Sequence, residues 1–360
     1  MSNEQRLTNL RARMRDRDFA AFVSLDPSTN QYLADFRGTT SAIIVTHDEA
    51  RFLCDFRYTE QAEKQVRGGY VIEEVKGGFV KRVGERLADI GARPVAFEPH
   101  YLSVEQLQVL ESAAGGVFVS AADLAAGLRM VKDKGEIEKL REASALAEGV
   151  LADLKQELRE GLPERELAAR FEYEFRRRGA SGASFDTIAL FGARSSLPHG
   201  EPGDRKLAPG DVVLLDFGCR LNGYCSDLTR TYAFGTMPEA WFQAIYDLTL
   251  TAQLQALESV RAGVSCREVD AAARGVIAEA GHGSHFGHGL GHGVGIEIHE
   301  GPRLNPESDI TLEAGMVVTI EPGIYLPGQG GVRIEDLVVV TEDGCELLSS
   351  TPKELELIKA

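Results

Sequence analysis

The sequence is short of cysteine, of positive charge and of long apolar runs, and each shortage removes a class of function. Its five cysteines, Cys54, Cys219, Cys225, Cys266 and Cys345, are odd in number, scattered and without metal-ligand spacing. The expectation is reduced thiols in a reducing compartment, with neither a disulfide framework nor a thiolate metal site. With 39 Lys and Arg against 55 Asp and Glu, the formal charge is -16, which argues against nucleic acid and anionic membranes as partners. The one basic run, Arg176-Arg177-Arg178, fits the solvated last turn of a helix. No apolar run approaches the ~20 residues of a membrane span. Met1 to Asp18 is charged throughout, with Leu7, Leu10 and Met14 on one helical face, so it reads as an amphipathic first helix and not as a signal peptide. An H-E-x-x-H zinc helix is missing too. What remains has 43% hydrophobic and 26% charged residues over 360 positions, the proportions of a cytoplasmic globular protein whose length predicts two domains.

Against these shortages stands a line of sequence written twice. L-A-P-G-D-V-V-L-L-D-F-G at 207 to 218 recurs 105 residues later as L-E-A-G-M-V-V-T-I-E-P-G at 312 to 323, so Asp216 and Glu321 occupy the same place in the two copies. Self-similarity fixes architecture before any local detail does. Ahead of the first copy lie two helical stretches, Glu136 to Glu160 and Pro163 to Arg178, the second opened by a proline in its first turn. Ahead of the second, Pro238 opens a helix running to about Arg261, and Ser265-Cys266-Arg267-Glu268 forms a capping box for another that ends at Gly281. Each half therefore reads as helix, helix, strand pair, and two such halves would face each other across a pseudo-twofold axis.

Each acidic strand is followed by a turn and a β-rich run with a second carboxylate. Asn222-Gly223 leads into Tyr224 to Tyr232 with Asp227, and Pro-Gly-Gln-Gly-Gly leads into Val332 to Val340 with Glu335. A hairpin centred between Leu221 and Asn222 puts Asp216 directly opposite Asp227; one centred on Asn222-Gly223 makes them diagonal neighbours on one face. Glu321 and Glu335 are evenly spaced about Gly328, which allows the same arrangement unless a bulge in the glycine-rich turn breaks it.

Four carboxylates gathered on apolar strands repel by roughly several kcal/mol unless cations intervene or some protonate, and a divalent metal resolves this economically. The competing reading is ordinary salt bridges: Arg230 and Arg333 lie close by, and Arg333 shares the strand face of Glu335. Histidine favours the metal. Five of the eight histidines, His282, His285, His288, His292 and His299, fall between Gly281 and Glu300 in a stretch too rich in glycine for a helix, the composition of a site where backbone must approach closely.

These residues carry a resemblance. H-G-L-G-H-G-V-G-I-E-I-H-E, T-I-E-P-G-I-Y, G-V-R-I-E-D, L-P-H-G and D-F-G followed by S-D-L-T-R-T are similar to the pita-bread metallopeptidases, in the branch of prolidase and aminopeptidase P. The likeness covers Lys132 to the C-terminus and, more loosely through N-Q-Y-L-A-D-F and C-D-F-R-Y-T-E-Q-A, the first 125 residues. It implies an α/β two-domain protein: a creatinase/prolidase-type α/β domain at 1–127, serving dimerisation and pocket closure, and a pita-bread α+β catalytic domain at 128–360. It further implies two divalent ions per subunit on Asp216, Asp227, His292, Glu321 and Glu335, with Asp227 and Glu335 bridging. So oxygen-rich a donor set favours manganese-like ions, while cobalt or zinc would also bind, and two ions so held lower the pKa of a shared water.

By the same resemblance Glu321 moves the proton to the leaving amine, and His199 and His299 contact substrate and stabilise the tetrahedral intermediate. His288 lines the proline side of the pocket, and Tyr325 and Arg333 orient the acids around the substrate site. Arg303 or Arg37, the latter beside the flexible Gly38, would grip a peptide's C-terminal carboxylate. The implied activity is that of an Xaa-Pro dipeptidase acting in a homodimer. The alternatives are an Xaa-Pro aminopeptidase acting on longer peptides, or a metal-free creatinase-like or peptide-binding relative. In the first 125 residues the hydrophobic pattern predicts strands at Ala20–Leu25, Ala42–Thr46, Arg51–Phe56, Tyr70–Val75 and Pro94–Phe97, with helices at Phe79–Ile90 and Ser103–Ser112.

Overall fold

Short apolar runs near the N-terminus pair into one mixed six-stranded sheet in a computed structural model that describes residues 1–360. The chain divides into two units, Met1–Arg129 and Met130–Ala360. In the first, the strand order is Val71–Glu74, Ala50–Cys54, Ser41–Thr46, Ala21–Ser24, Val95–Phe97, Phe118–Ser120. The last of these is unexpected. It is three residues long and only partly buried, too short to show an alternating pattern. The first helix, Asn3–Asp16, is capped by the Ser2 side chain and buries Leu7, Leu10 and Met14, the stripe its 3.6-residue period demands.

The second unit carries the duplication as structure. Its first half runs through helices Lys134–Lys155 and Glu164–Arg177 to strands Ile188–Phe191, Val212–Phe217 and Leu228–Phe234. Its second half runs through Ala240–Ser259 and Cys266–Glu279 to Gly291–Gly293, Val317–Ile320 and Asp336–Val340. In both, the acidic strand is central and antiparallel to a neighbour on each side. A strand thus precedes each expected pair, and Pro163 stands at the N-cap instead of inside the first turn. Helices cover one face of each sheet. Phe171, Phe175 and Phe217 pack in the first core, and Phe242, Val269, Ala273 and Ile277 meet Val318, Ile320 and Val338 in the second. Each such side chain contributes about 1.5–3 kcal/mol when fully buried. No helix is long and apolar enough to cross a membrane.

A buried cation helps tie the halves. Arg230, 1% exposed, donates to the Thr229 and Glu335 carbonyls, to Asp336 Oδ1 at 2.8 Å, and to the carbonyls of Thr351 and Pro352. Asp336 also holds Lys353 at 2.6 Å and Gln253 at 2.7 Å, so losing Arg230 leaves it partly paired. Arg230→Met should therefore cost about 3 kcal/mol, the lower end for a broken buried pair. Urea denaturation checks this, and a change below about 1 kcal/mol, the size of an ordinary surface effect, would contradict it.

Candidate metal centre

The length of each turn decides where the carboxylates meet. Two residues, Asn222 and Gly223, separate the paired Leu221 and Tyr224, and this register continues down the strands to set Asp216 opposite Thr229. Asp227 is then the diagonal neighbour of Asp216, the second of the two registers weighed. In the other half three residues separate Leu326 from Gly330. Ile320 pairs with Asp336 and Gly323 with Arg333, so Glu321 faces Glu335 directly. The two hairpins are consequently not alike, because an odd turn changes the parity of the pairing. Thr229 takes the place equivalent to Glu335, and Arg333 the place equivalent to Asp227. Asp227, Glu321 and Glu335 all lie in breaks between strands, where the backbone is free to bend its side chain across the sheet.

Oxygens of Asp216, Asp227 and Glu335 come within 4.8 Å of one another. His292 completes the group from the strand Gly291–Gly293, its Nε2 lying 3.5 Å from Asp227 Oδ2 and 3.4 Å from Glu321 Oε1. The glycines beside it are required by close approach: a Cβ at residue 291 would lie 2.0 Å from the Thr319 carbonyl oxygen, and one at 293 would lie 2.1 Å from that of Gly301. His292 Nδ1 is 3.1 Å from the Gly293 carbonyl, which can only accept, so the ring proton is assigned to Nδ1 and the Nε2 lone pair faces the carboxylates. Burial holds this imidazole at a pKa of about 4, hence neutral at pH 7.

Burial, and then the neighbouring acids, push Asp227 and Glu335 well above the ordinary carboxylate range, and burial lifts Glu321 to about 7. Arg333 gives the salt-bridge reading partial support, since its guanidinium meets Asp216 Oδ2 at 2.5 Å. Asp216 Oδ1 nevertheless stays buried without a hydrogen-bond partner. One guanidinium cannot balance four acids, and an imidazole lone pair aimed at ionised carboxylate oxygens gains nothing without a cation or a proton between them. The donor set fits a divalent metal of hard character, with Nδ1–H fixed on a carbonyl as metal-bound histidines commonly are.

A cavity of about 570 Å3 opens over this cluster, lined from both halves by Phe185, Ile188, His199, His288, His299 and Arg303 among others. His199, His299 and Arg303 are exposed at its wall, and the His299 ring stands edge-on to His292 at 4.5 Å. Tyr325 is buried and does not line the cavity. Its hydroxyl accepts from Arg333 at 2.8 Å and donates to His288 Nε2 at 2.9 Å, the His288 Nδ1 proton being taken by the Gly289 carbonyl. Arg37 belongs to the N-terminal unit, where it is exposed and its backbone bonds Gln65 and Gln61.

Sequence reasoning missed the residues that hold the acids in place. Thr229 donates to Glu335 at 2.7 Å and Thr319 to Glu321 at 3.0 Å; the only signal was a threonine two residues before Glu321 on the same strand face. It also missed Asp270 and Arg274. Arg274 pairs with Asp270 and donates to the carbonyls of Phe286 and His288, while Asp270 accepts from Leu290 N–H. The D-x-x-x-R spacing looks like any helix-surface pair.

Residues 6–131 match the creatinase/prolidase N-terminal domain. An Xaa-Pro dipeptidase of Pyrococcus furiosus is 44% identical over 238 residues, 66% of this chain and 68% of that protein. A solved Xaa-Pro dipeptidase from Bacillus anthracis superposes with a TM-score of 0.95 at 38% identity, covering 99% of both chains. An X-Pro aminopeptidase from Thermotoga maritima gives 0.88 at 37% identity, covering 96% of this chain and 100% of the other. With residues 138–342 matching it, the chain belongs to metallopeptidase family M24.

Proposed function

We propose that this protein is an Xaa-Pro dipeptidase that hydrolyses the bond before a C-terminal proline, using two divalent ions, manganese by preference, on Asp216, Asp227, His292, Glu321 and Glu335. The observation that carries the reading is that Asp216, Asp227 and Glu335 gather from both halves while the bare Nε2 of His292 faces Asp227 and Glu321, beneath a cavity lined with histidines. Bound there, the ions would supply a Lewis acid for the scissile carbonyl and a water deprotonated near neutral pH.

The chain's own groups do the rest. Glu321, held by Thr319, is placed to accept a proton and return it to the leaving amine. His199 and His299 face the cavity where charge develops on the carbonyl oxygen. His288, kept neutral by burial at about 4 and oriented by Tyr325, bounds the proline side. Arg303 in the cavity wall, or Arg37 of the N-terminal unit, binds the free carboxylate. Residues 1–127 serve dimerisation and pocket closure, and the enzyme is cytoplasmic.

A second reading, Xaa-Pro aminopeptidase, is favoured by the full-length superposition on the Thermotoga maritima structure. Manganese-refilled protein is expected to turn over Ala-Pro and Met-Pro and to leave Ala-Pro-Ala intact. Comparable cleavage of the tripeptide would move the assignment to the aminopeptidase, and no cleavage of any of the three would remove both.

A further inference from the structure

Two of the five clustered histidines have no part in the carboxylate centre. The helix Cys266–Glu279 ends in a turn through Gly281 and passes into a single 3-10 turn at Gly283–His285. His282 N–H bonds the Ile277 carbonyl at 3.0 Å and His285 N–H bonds the His282 carbonyl at 2.8 Å, so both backbones are set by the helix end. Their rings converge at the surface, each half-buried, with Nδ1 facing Nδ1 at 3.2 Å and centroids 5.3 Å apart.

Two imidazole nitrogens at that distance need something between them. One candidate is a proton carried by either ring. The other is a metal: two nitrogens bound at 2.0–2.1 Å to one tetrahedral ion stand about 3.3–3.4 Å apart, nearly the separation already present. We propose that His282 and His285 form a second, chelating metal site for a borderline divalent ion such as nickel, copper or zinc, with water completing the shell. A pair of neutral imidazoles has little hold on manganese and much more on the later ions of the first row, so this site and the oxygen-rich centre select different metals. The site adjoins the cavity through the chain. Phe286 follows His285 directly, its ring meets His288 edge-on at 5.0 Å, and Arg274 holds the carbonyls of both Phe286 and His288. An ion on His282 and His285 would brace the segment that presents His288.

The test uses untagged, manganese-loaded protein. Nickel is added in equilibrium dialysis to wild type, His282→Gln and His285→Gln, with nickel and manganese both counted. Wild type should take up one nickel while keeping its manganese, each variant should bind it at least about tenfold more weakly, and all three should hydrolyse Ala-Pro equally with manganese alone. Copper(II) should show electron-spin coupling to two nitrogens in wild type and to fewer in either variant. Nickel binding of equal strength in all three proteins, or binding only as manganese leaves, would overturn the proposal.

Discussion

Asp227→Asn is expected to lower Ala-Pro hydrolysis at least about a thousandfold and to strip bound metal, yet to raise the melting temperature of the apoprotein at pH 7. The two effects have opposite signs because one carboxylate has two roles. In the metal-loaded protein proposed above it would be a ligand from the first half that lies near His292 of the second. In the apoprotein it is a buried acid among Glu335, Asp216 and Glu321, and burial and those neighbours push its pKa well up. An acid whose native pKa exceeds its unfolded value keeps its proton in the native state across the interval between them. Its contribution to stability is then full below the ordinary Asp range and is lost as pH rises through the raised value. At pH 7 asparagine removes that penalty; near pH 3 both states hold the proton and the gain should vanish. Thermal melts of chelator-treated parent and variant at the two pH values, beside metal content, decide the matter. A variant whose apoprotein melts lower at pH 7 would mean that Asp227 is held by ordinary pairing.

The duplicated line at 207–218 and 312–323 made the architecture and the four acids legible, because a repeat constrains both halves at once. The parity of the turns was legible at Gly328, about which Glu321 and Glu335 are evenly spaced, but left two registers open at the first hairpin. Two residues at Asn222-Gly223 and three at Pro327-Gly328-Gln329 send Asp227 to a diagonal place and Glu335 to a facing one, which no propensity scale encodes. Nor does composition say which of five histidines stands beside the acids. His292 is singled out by its strand: paired beside Thr319, it occupies the place that Leu190 holds beside Leu214 in the first half, and a Gly293 carbonyl turns its Nε2 inward. Tyr325, expected at the substrate, instead lies outside the cavity lining, where it bonds Arg333 and His288. The sixth N-terminal strand and the fastening of the His288 segment by Arg274 depend on tertiary contacts that short or commonplace sequences do not announce.

Refilling the apoprotein with manganese should release protons, and the affinity should climb steeply with pH. Below its raised pKa each of Asp227, Glu335 and Glu321 keeps a proton that an ion must displace; for Glu321 that value is about 7, set by burial. His292 releases none, since burial keeps it neutral down to about 4 and its remaining proton sits on Nδ1 against a carbonyl. The released protons must therefore come from carboxyl groups and from any water the ions deprotonate. Affinity should rise about tenfold per pH unit for each proton displaced, with Glu321 dropping out of the count above pH 7 as it ionises unaided. Calorimetry at pH 6 in two buffers of different ionisation enthalpy counts the protons directly. In Glu321→Gln the count should fall, because the amide has no proton to give up, and the affinity should fall with it. A wild-type protein that binds manganese at pH 6 with no proton release would mean that the acids are already ionised in the apoprotein, and that the cluster is balanced by something other than the metal.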